Sequence, residues 1–432
     1  MKIKRILSLV LAIALMAVVF VGCGKDDSGK SGDAGNSAGE NGGSTAAVDI
    51  EKGAKLKVWG PAKSVDLLKK QVEAFKNENK DKNISVEVVA QEENDAATNA
   101  LNDLDAAADV FGFASDQLTK LEQAMALTPV YPQYEEDVKA KHTAAAVDAA
   151  TGEIEGTEVV YAFPETDNGY YLVYDKSVVS DEDAKSLEGV FEACKKAGRK
   201  FIMDAGNGYY SCMFTFTGGL KLDGLEGEAQ DIQKFNDYNE DDVVASMKAF
   251  ADLFAKYKDI FVSDTVDKIS AGFNLDERTC AAGIDGTWNA ALDKDVLGDD
   301  YGVAKLPTIN VNGEDKDIIG MIGYKYIGVN SHSKYPNAAM ALANYLSGAD
   351  CQKQRFEELG WTPTHQDVEV SSSAGTQVML EEAKTFVVQA NIIQAFWDPM
   401  ANLGSNLFKE GAKTDTASLK TLLTKTLANI NG

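Results

Sequence analysis

The chain has 432 residues and carries 67 acidic against 42 basic side chains, a formal net charge of −25. Such a surface repels phosphate backbones, which excludes nucleic acid as a partner. Three widely separated histidines (His142, His332, His365) and cysteines in no zinc or redox spacing leave no sequence-local metal site or HExxH helix, and no cofactor is expected.

The first residues are basic (Lys2, Lys4, Arg5), and Ile6 to Val21 form an almost unbroken apolar run. Charge followed by an apolar core is the design of a secretory signal peptide, and the run is slightly short for an uncleaved spanning helix. It ends in Phe20-Val21-Gly22-Cys23, which resembles the lipobox of bacterial lipoprotein precursors. That resemblance implies residues 1–22 are removed and Cys23 is lipidated; the two chains of a diacylglyceryl group suffice for a stable anchor where one does not. Residues 24 to 53 are rich in glycine, serine and charge and poor in large apolar side chains, so they are expected to be a disordered tether. A Gly/Ser chain of that length reaches roughly 30 Å. Up to Ile50 there are five basic and five acidic side chains, so the whole negative excess belongs to the body that follows.

That body, residues 54–432, is too long for one core, and two domains are expected. It opens with the strand LKVWG, then a helix in which Val65, Leu68, Val72 and Phe75 recur at helical spacing behind the N-cap candidate Ser64. The alternation in ISVEVV marks a second strand, so strand, helix and strand make a βαβ unit and a partly parallel sheet. The rhythm continues through ADVFGF, VVYAFP, YYLVYD, KFIMD, AAGID, YGVAKLP and YKYIGVN, and the chain ends in helices. The predicted fold is α/β and doubly wound, with ligands beyond the strand C-termini. Besides Cys23 the chain has four cysteines: Cys194, Cys212, Cys280 and Cys351. They are read as small buried hydrophobes, one disulfide being the alternative.

Aromatic residues gather at those strand ends. Trp59 closes the first strand, where filling a core is its expected role. Phe113, Tyr209, Tyr210, Trp288 and Trp397 mostly sit in Gly-, Asp- or Asn-rich turns. A sugar ring has an apolar C–H face that stacks on an aromatic and a rim of hydroxyls that needs carboxylates, amides and ammonium groups. Lys63, just beyond the first strand, is a candidate hydroxyl donor.

From about Lys55 onward the chain resembles the extracellular solute-binding proteins (family 1) of ABC sugar importers, in particular the maltose/maltodextrin-binding lipoproteins. The segment ADVFGFASDQLTKLEQAMALTPV carries Asp109, Phe113 and Asp116 at positions where the family ends the approach to a strand, stacks on sugar and bonds hydroxyls. Gln117 stands where maltose binders often have arginine. In YAFPETDNGYYLVYDKSVV, Asn168 matches a family glutamate. AGNGYYSCMFTFTGG presents Tyr209 or Tyr210, ERTCAAGIDGTWNAAL presents Trp288, and IIQAFWDPM presents Trp397. The resemblance implies two doubly wound α/β lobes of the periplasmic-binding-protein-like type II, joined by crossing hinge strands with the ligand between them. Lobe 1 would take 54–165 and about 327–362, and lobe 2 about 166–323 and 363–432.

The function so implied is capture of an oligosaccharide, maltose or maltodextrin first, and its delivery by hinge closure to the transmembrane subunits of an ABC transporter. The protein would be a monomer and not an enzyme, held outside a Gram-positive cell membrane by its lipid alone. A different oligosaccharide is the alternative, and a surface glycoside hydrolase a third. The hydrolase needs two opposed carboxylates, for which Asp116, Glu165, Asp167 and Asp285 are available.

Overall fold

The computed structural model describes residues 48–227, 230–274, 278–370 and 373–432. The signal peptide, Cys23 and most of the tether lie outside the described residues. The body begins earlier than expected, because 48–53 are docked rather than free. Glu51 accepts the backbone N–H groups of Asn337 and Ala338 at 3.0 and 2.7 Å, in the first turn of the helix Pro336–Ser347. A carboxylate is favoured at that end of a helix. Lys82 Nζ lies 2.9 Å from Asp49, and the Asn337 amide donates to the Asp49 carbonyl.

Two mixed sheets carry the body. The larger runs Thr362–Pro363, Phe163–Asn168, Met321–Val329, Val110–Ala114, Lys55–Gly60, Ser85–Ala90, with Val387–Val388 beside the start of Met321–Val329. Its last three strands are parallel, as the βαβ reading requires, and the first three pair antiparallel. The smaller runs Phe261–Ser263, Lys200–Met203, Cys280–Gly286, Tyr170–Asp175, Tyr301–Ala304. Every residue of Val110–Ala114, Tyr170–Asp175 and Cys280–Gly286 is buried, so these strands are covered on both faces, with Asp175 and Asp285 their buried acidic side chains. The helix Val65–Glu78 buries Leu68, Val72 and Phe75 on the larger sheet. Ser64 does not cap it; its hydroxyl donates to the Pro61 carbonyl at 3.0 Å instead.

Each sheet has its own core, and three chain segments pass between them, the third through Thr362–Pro363 from Cys351 in the first core to Met379 in the second. Phe163 packs in the core of the larger sheet, while Tyr170, one strand on, packs in that of the smaller. Met321 and Ile322 belong to the second core, and Tyr324, Tyr326, Ile327 and Val329 of the same strand to the first. The chain is therefore α/β with two lobes joined by crossing strands. Cys194, Cys212, Cys280 and Cys351 are all buried free thiols.

Just after Thr362–Pro363, two histidines lie edge to face. His142 and His365 have ring centroids 5.0 Å apart and are 4% and 6% exposed. The His142 ring meets Thr364 Oγ1 at 2.9 Å and Ser347 Oγ at 3.4 Å. Burial, then His365 and Lys141, pushes its pKa down to about 3; burial lowers that of His365 too, against Asp367. The His142 ring is thus neutral when folded but accepts a proton when unfolded below about 6.5, and His365 shifts in the same direction. The unfolded state then binds more protons, so this contribution to stability is present above pH 6.5 and lost as pH falls toward 3. His142→Gln should flatten the fall in melting temperature over that window, measured against the unmutated protein; an unchanged slope contradicts the assignment.

Candidate functional site

The lobes face each other across a cleft of two connected chambers, about 330 and 380 Å³, which share Asn94, Asn168, Trp288 and Lys325. The first chamber lies between Lys63, Glu93, Thr166, Lys325 and Trp361. The second lies between Asp95, Asp116, Tyr209, Gln389 and Trp397. Trp288 stands between the two.

Strand ends and helix starts place these groups. Trp288 follows the strand Cys280–Gly286 in a single 3-10 turn, Thr287–Asn289. Its ring folds back over Gly286, where a Cβ would come within 2.2 Å of the indole. Only glycine leaves that room. Tyr209 begins the short helix Gly208–Ser211, packs 6.3 Å from Trp288, and donates its hydroxyl to the Asn168 carbonyl at 2.9 Å. Trp397 opens the helix Trp397–Phe408. Lys63 reaches across the cleft and donates to the Trp288 carbonyl at 3.4 Å.

Asp116 is half-buried with Oδ1 sealed from water and without a donor. Burial raises its pKa, opposed by Lys325 and Lys120, and the Trp397 side chain helps to hold its charge as a hydrogen-bond donor. An unpartnered carboxylate oxygen of this kind costs free energy until a donor arrives. Lys325, in the crossing strand, sits 3.5 Å from Glu93, whose Oε1 also lacks a partner.

Six sequence-predicted residues thus meet in the cleft: Lys63, Asp116, Asn168, Tyr209, Trp288 and Trp397. Three do not. Phe113 is fully buried under the larger sheet, 6.0 Å from Phe111 and 5.8 Å from Tyr326, because in Val110–Ala114 it is Gly112 and Ala114 that alternate onto the other face. Gln117 is 2% exposed and spends its amide on the helix Glu93–Asn102, accepting from Ala97 N–H at 3.1 Å and donating to the Glu93 carbonyl at 2.8 Å. Tyr210 lines neither chamber: it is 3% exposed, with its ring 4.9 Å from Tyr170 and 5.5 Å from that of Tyr209. Asp109, quoted with Phe113, is a backbone brace: it accepts from Lys57 N–H at 2.8 Å and from the Ser333 hydroxyl at 2.6 Å.

Sequence reasoning missed Glu93, Asp95, Lys325, Gln389 and Trp361. Glu93 and Asp95 had a signal, since they follow a strand and open a helix. Lys325 had another, as the one charge inside the run MIGYKYIGV. Of the carboxylates considered for hydrolysis, Asp167 borders the first chamber and Asp116 the second. Asp285 is 0% exposed and held by Gly286 N–H and Asn289; Glu165 lies against Arg355; Asp167 is buried without a charged partner, its pKa pushed up to about 8.

Residues 70–377 match the family model described as bacterial extracellular solute-binding protein. No curated protein sequence matches the chain. Among solved structures, a ligand-free maltodextrin-binding protein from L. casei BL23 is 24% identical with a TM-score of 0.73, covering 88% of this chain and 99% of its own. A structure with acarbose is 29% identical, with a TM-score of 0.76 and the same coverage. The Thermus thermophilus maltotriose-binding protein bound with maltotriose is 18% identical with a TM-score of 0.70, covering 87% and 99%. At such identities the likeness is one of fold.

The two adjacent tyrosines can be separated by stability alone. The Tyr210 hydroxyl is buried without a partner, whereas that of Tyr209 is bonded. Tyr210→Phe is expected to leave the midpoint of denaturant unfolding unchanged or raise it, and Tyr209→Phe to lower stability by about 1 kcal/mol. The reverse order would show that their environments are exchanged.

Proposed function

The chain belongs to the bacterial extracellular solute-binding proteins, and we propose that it captures an oligosaccharide, maltose or maltodextrin first, for an ABC transporter. The observation that carries this reading is the second chamber. Tyr209, Trp288 and Trp397 offer flat apolar faces around Asp116, whose Oδ1 lacks a donor. Aromatic faces suit the C–H side of a pyranose, and the carboxylate suits its hydroxyl rim. The likeness to a maltodextrin-binding protein and to a structure with acarbose agrees with this choice. Gln117, where maltose binders often carry arginine, is spent on the helix Glu93–Asn102, so another oligosaccharide is the competing ligand.

Capture works by differential affinity. Asp116 and Lys63 stand on one lobe, Trp288 and Trp397 on the other, so a ligand gains both sets of contacts only when the lobes are closed. Replacing Trp288 or Trp397 by Ala should cost about 1–3 kcal/mol of binding, the range for burying such a side chain, or about tenfold to a hundredfold in Kd for maltotriose. Trp59→Phe is the control, since Trp59 packs 6.2 Å from Phe111 outside both chambers. Calorimetric titration reads the affinities, and scattering from the same samples should show a smaller radius of gyration on saturation. If only the control weakens binding, the stacking assignment is wrong; if the unmutated protein binds no maltodextrin but takes another sugar of the panel, the ligand is.

We also infer that the protein works from the outer face of the membrane, attached through Cys23. Among the described residues no helix is long and apolar enough to cross a bilayer. Intact-mass analysis of detergent-extracted protein should find a chain that begins at Cys23 with a diacylglyceryl mass, and Cys23→Ser should abolish it. A mature chain that starts elsewhere without lipid would end this reading.

A further inference from the structure

The floor of the first chamber is made by the crossing strands. In the ladder, Thr362 pairs with Asp167 and Pro363 with Thr166, so Trp361 lies opposite Asn168. On the other side Asn168 pairs with Gly323, and Thr166 is opposite Lys325. Paired residues of adjacent strands put their side chains on the same face, and neighbours along a strand on opposite faces. Lys325 lines both chambers, which identifies its face as the one toward the cleft. Trp361, Asn168 and Thr166 share it. Tyr324 falls on the opposite face and packs in the core of the larger sheet, while Asp167, between Thr166 and Asn168 in its strand, also borders the chamber.

Trp361 is 6% exposed, and its indole Nε1–H is buried with no acceptor. A tryptophan buried in a core normally finds a partner for that N–H. Around this one the cleft supplies no protein oxygen in reach, although Trp361 lines the first chamber. Neighbouring groups are placed for a polar guest. The Asn168 side chain stands opposite, and the Oε1 of Glu93 in the same chamber is also unpartnered. With Asp167 Oδ1, unpartnered as well, the chamber holds a stranded indole donor beside two stranded carboxyl oxygens, and these match a group that both accepts and donates, which is what a hydroxyl does.

We propose that Trp361 contacts the ligand: its indole N–H donates to a hydroxyl oxygen of the sugar ring lying across the crossing strands, and so fixes which ring enters the first chamber. This rests on the oligosaccharide reading of the same cleft. Trp361 then differs in role from Trp288 and Trp397, which offer faces rather than a hydrogen bond. Its place beside the Thr362–Pro363 crossing also couples occupancy of the chamber to the strands that bend.

Two measurements on the full mature chain test this. Trp361→Phe keeps a ring and removes the N–H; maltotetraose affinity should fall about fivefold to twentyfold while thermal stability is unchanged or rises, because a buried unpaired donor is gone. Unaltered affinity overturns the proposal. The chain has four tryptophans, so in an ¹⁵N-labelled sample four indole cross-peaks are expected, assigned by Trp59→Phe, Trp288→Phe and Trp397→Phe with Trp361 as the remainder. On saturation the Trp361 peak should move downfield as its N–H becomes bonded; an unmoved peak overturns the proposal even if Trp361→Phe does not fold. If the unmutated protein binds no sugar of the panel, the oligosaccharide reading falls, and this proposal with it. If it binds and Trp361 is indifferent, only this proposal falls.

Discussion

Three strand segments run side by side between the lobes, and the cleft depends on their hydrogen bonds staying made there. Backbone N–H and C=O groups in that position cannot be left open to a moving interface without a cost in free energy. The ladder of Thr362–Pro363, Phe163–Asn168 and Met321–Val329 answers this, since each strand satisfies its neighbour. Side chains complete it. The Thr166 hydroxyl donates to the Thr362 carbonyl at 2.6 Å, and Ser115 Oγ accepts from Tyr324 N–H at 3.2 Å while donating to the Gln389 carbonyl at 2.6 Å. At Gly323 a Cβ would meet the Gln389 amide at 2.1 Å, so the strand and the segment after Val387–Val388 approach closely.

Beneath the ladder the protein buries charge and mostly neutralises it. Asp167, at the edge of the first chamber, has a pKa of about 8, raised by burial alone. At neutral pH it is a protonated acid, which is cheaper than a lone carboxylate in that position. Glu165 is pushed up to about 7 by burial, with Arg355 3.4 Å away working against the shift. Arg355 also holds Gln71 at 3.1 Å, so this group ties the crossing to the helix Val65–Glu78. Raised carboxyl pKa values add stability below the unfolded value and lose it as pH rises through the folded one. The buried histidine pair has the opposite sign, so the crossing region favours intermediate pH from both sides.

How much of this was legible in the sequence follows from the range of the interactions. Strand alternation, the 3.6 spacing of Leu68, Val72 and Phe75, and aromatics in glycine-rich turns are local, and they led to the two-lobed fold, Trp288, Trp397 and Tyr209. Errors came where a residue's direction depends on a partner far along the chain. Gln117 looks free until Ala97 and Glu93 are brought to it, and Glu51 looks like tether until Asn337 arrives. Phe113 was a readable error: in VFGFA the small residues alternate with the large ones, and small residues belong on the face that a ligand approaches. Tyr209 and Tyr210 are adjacent in a helical turn, so they face directions about 100° apart, and the letters alone do not say which faces in.

The same geometry decides the charge of the guest. A helix N-terminus beside a strand end is a ready site for phosphate or another anion. Here Glu93–Asn102 brings its first turn to the cleft already loaded with Glu93 and Asp95. Those carboxylates take the favourable end of the helix and would repel a second anion. The two cleft ammonium groups do not reverse this, since Lys325 is beside Glu93 and Lys63 donates to the Trp288 carbonyl. What the chambers leave open is oxygen acceptors, an indole donor and aromatic faces. That set suits a neutral, hydroxyl-rich molecule, and a sugar phosphate or uronate would meet the like charge of Glu93, Asp95 and Asp116 on entering.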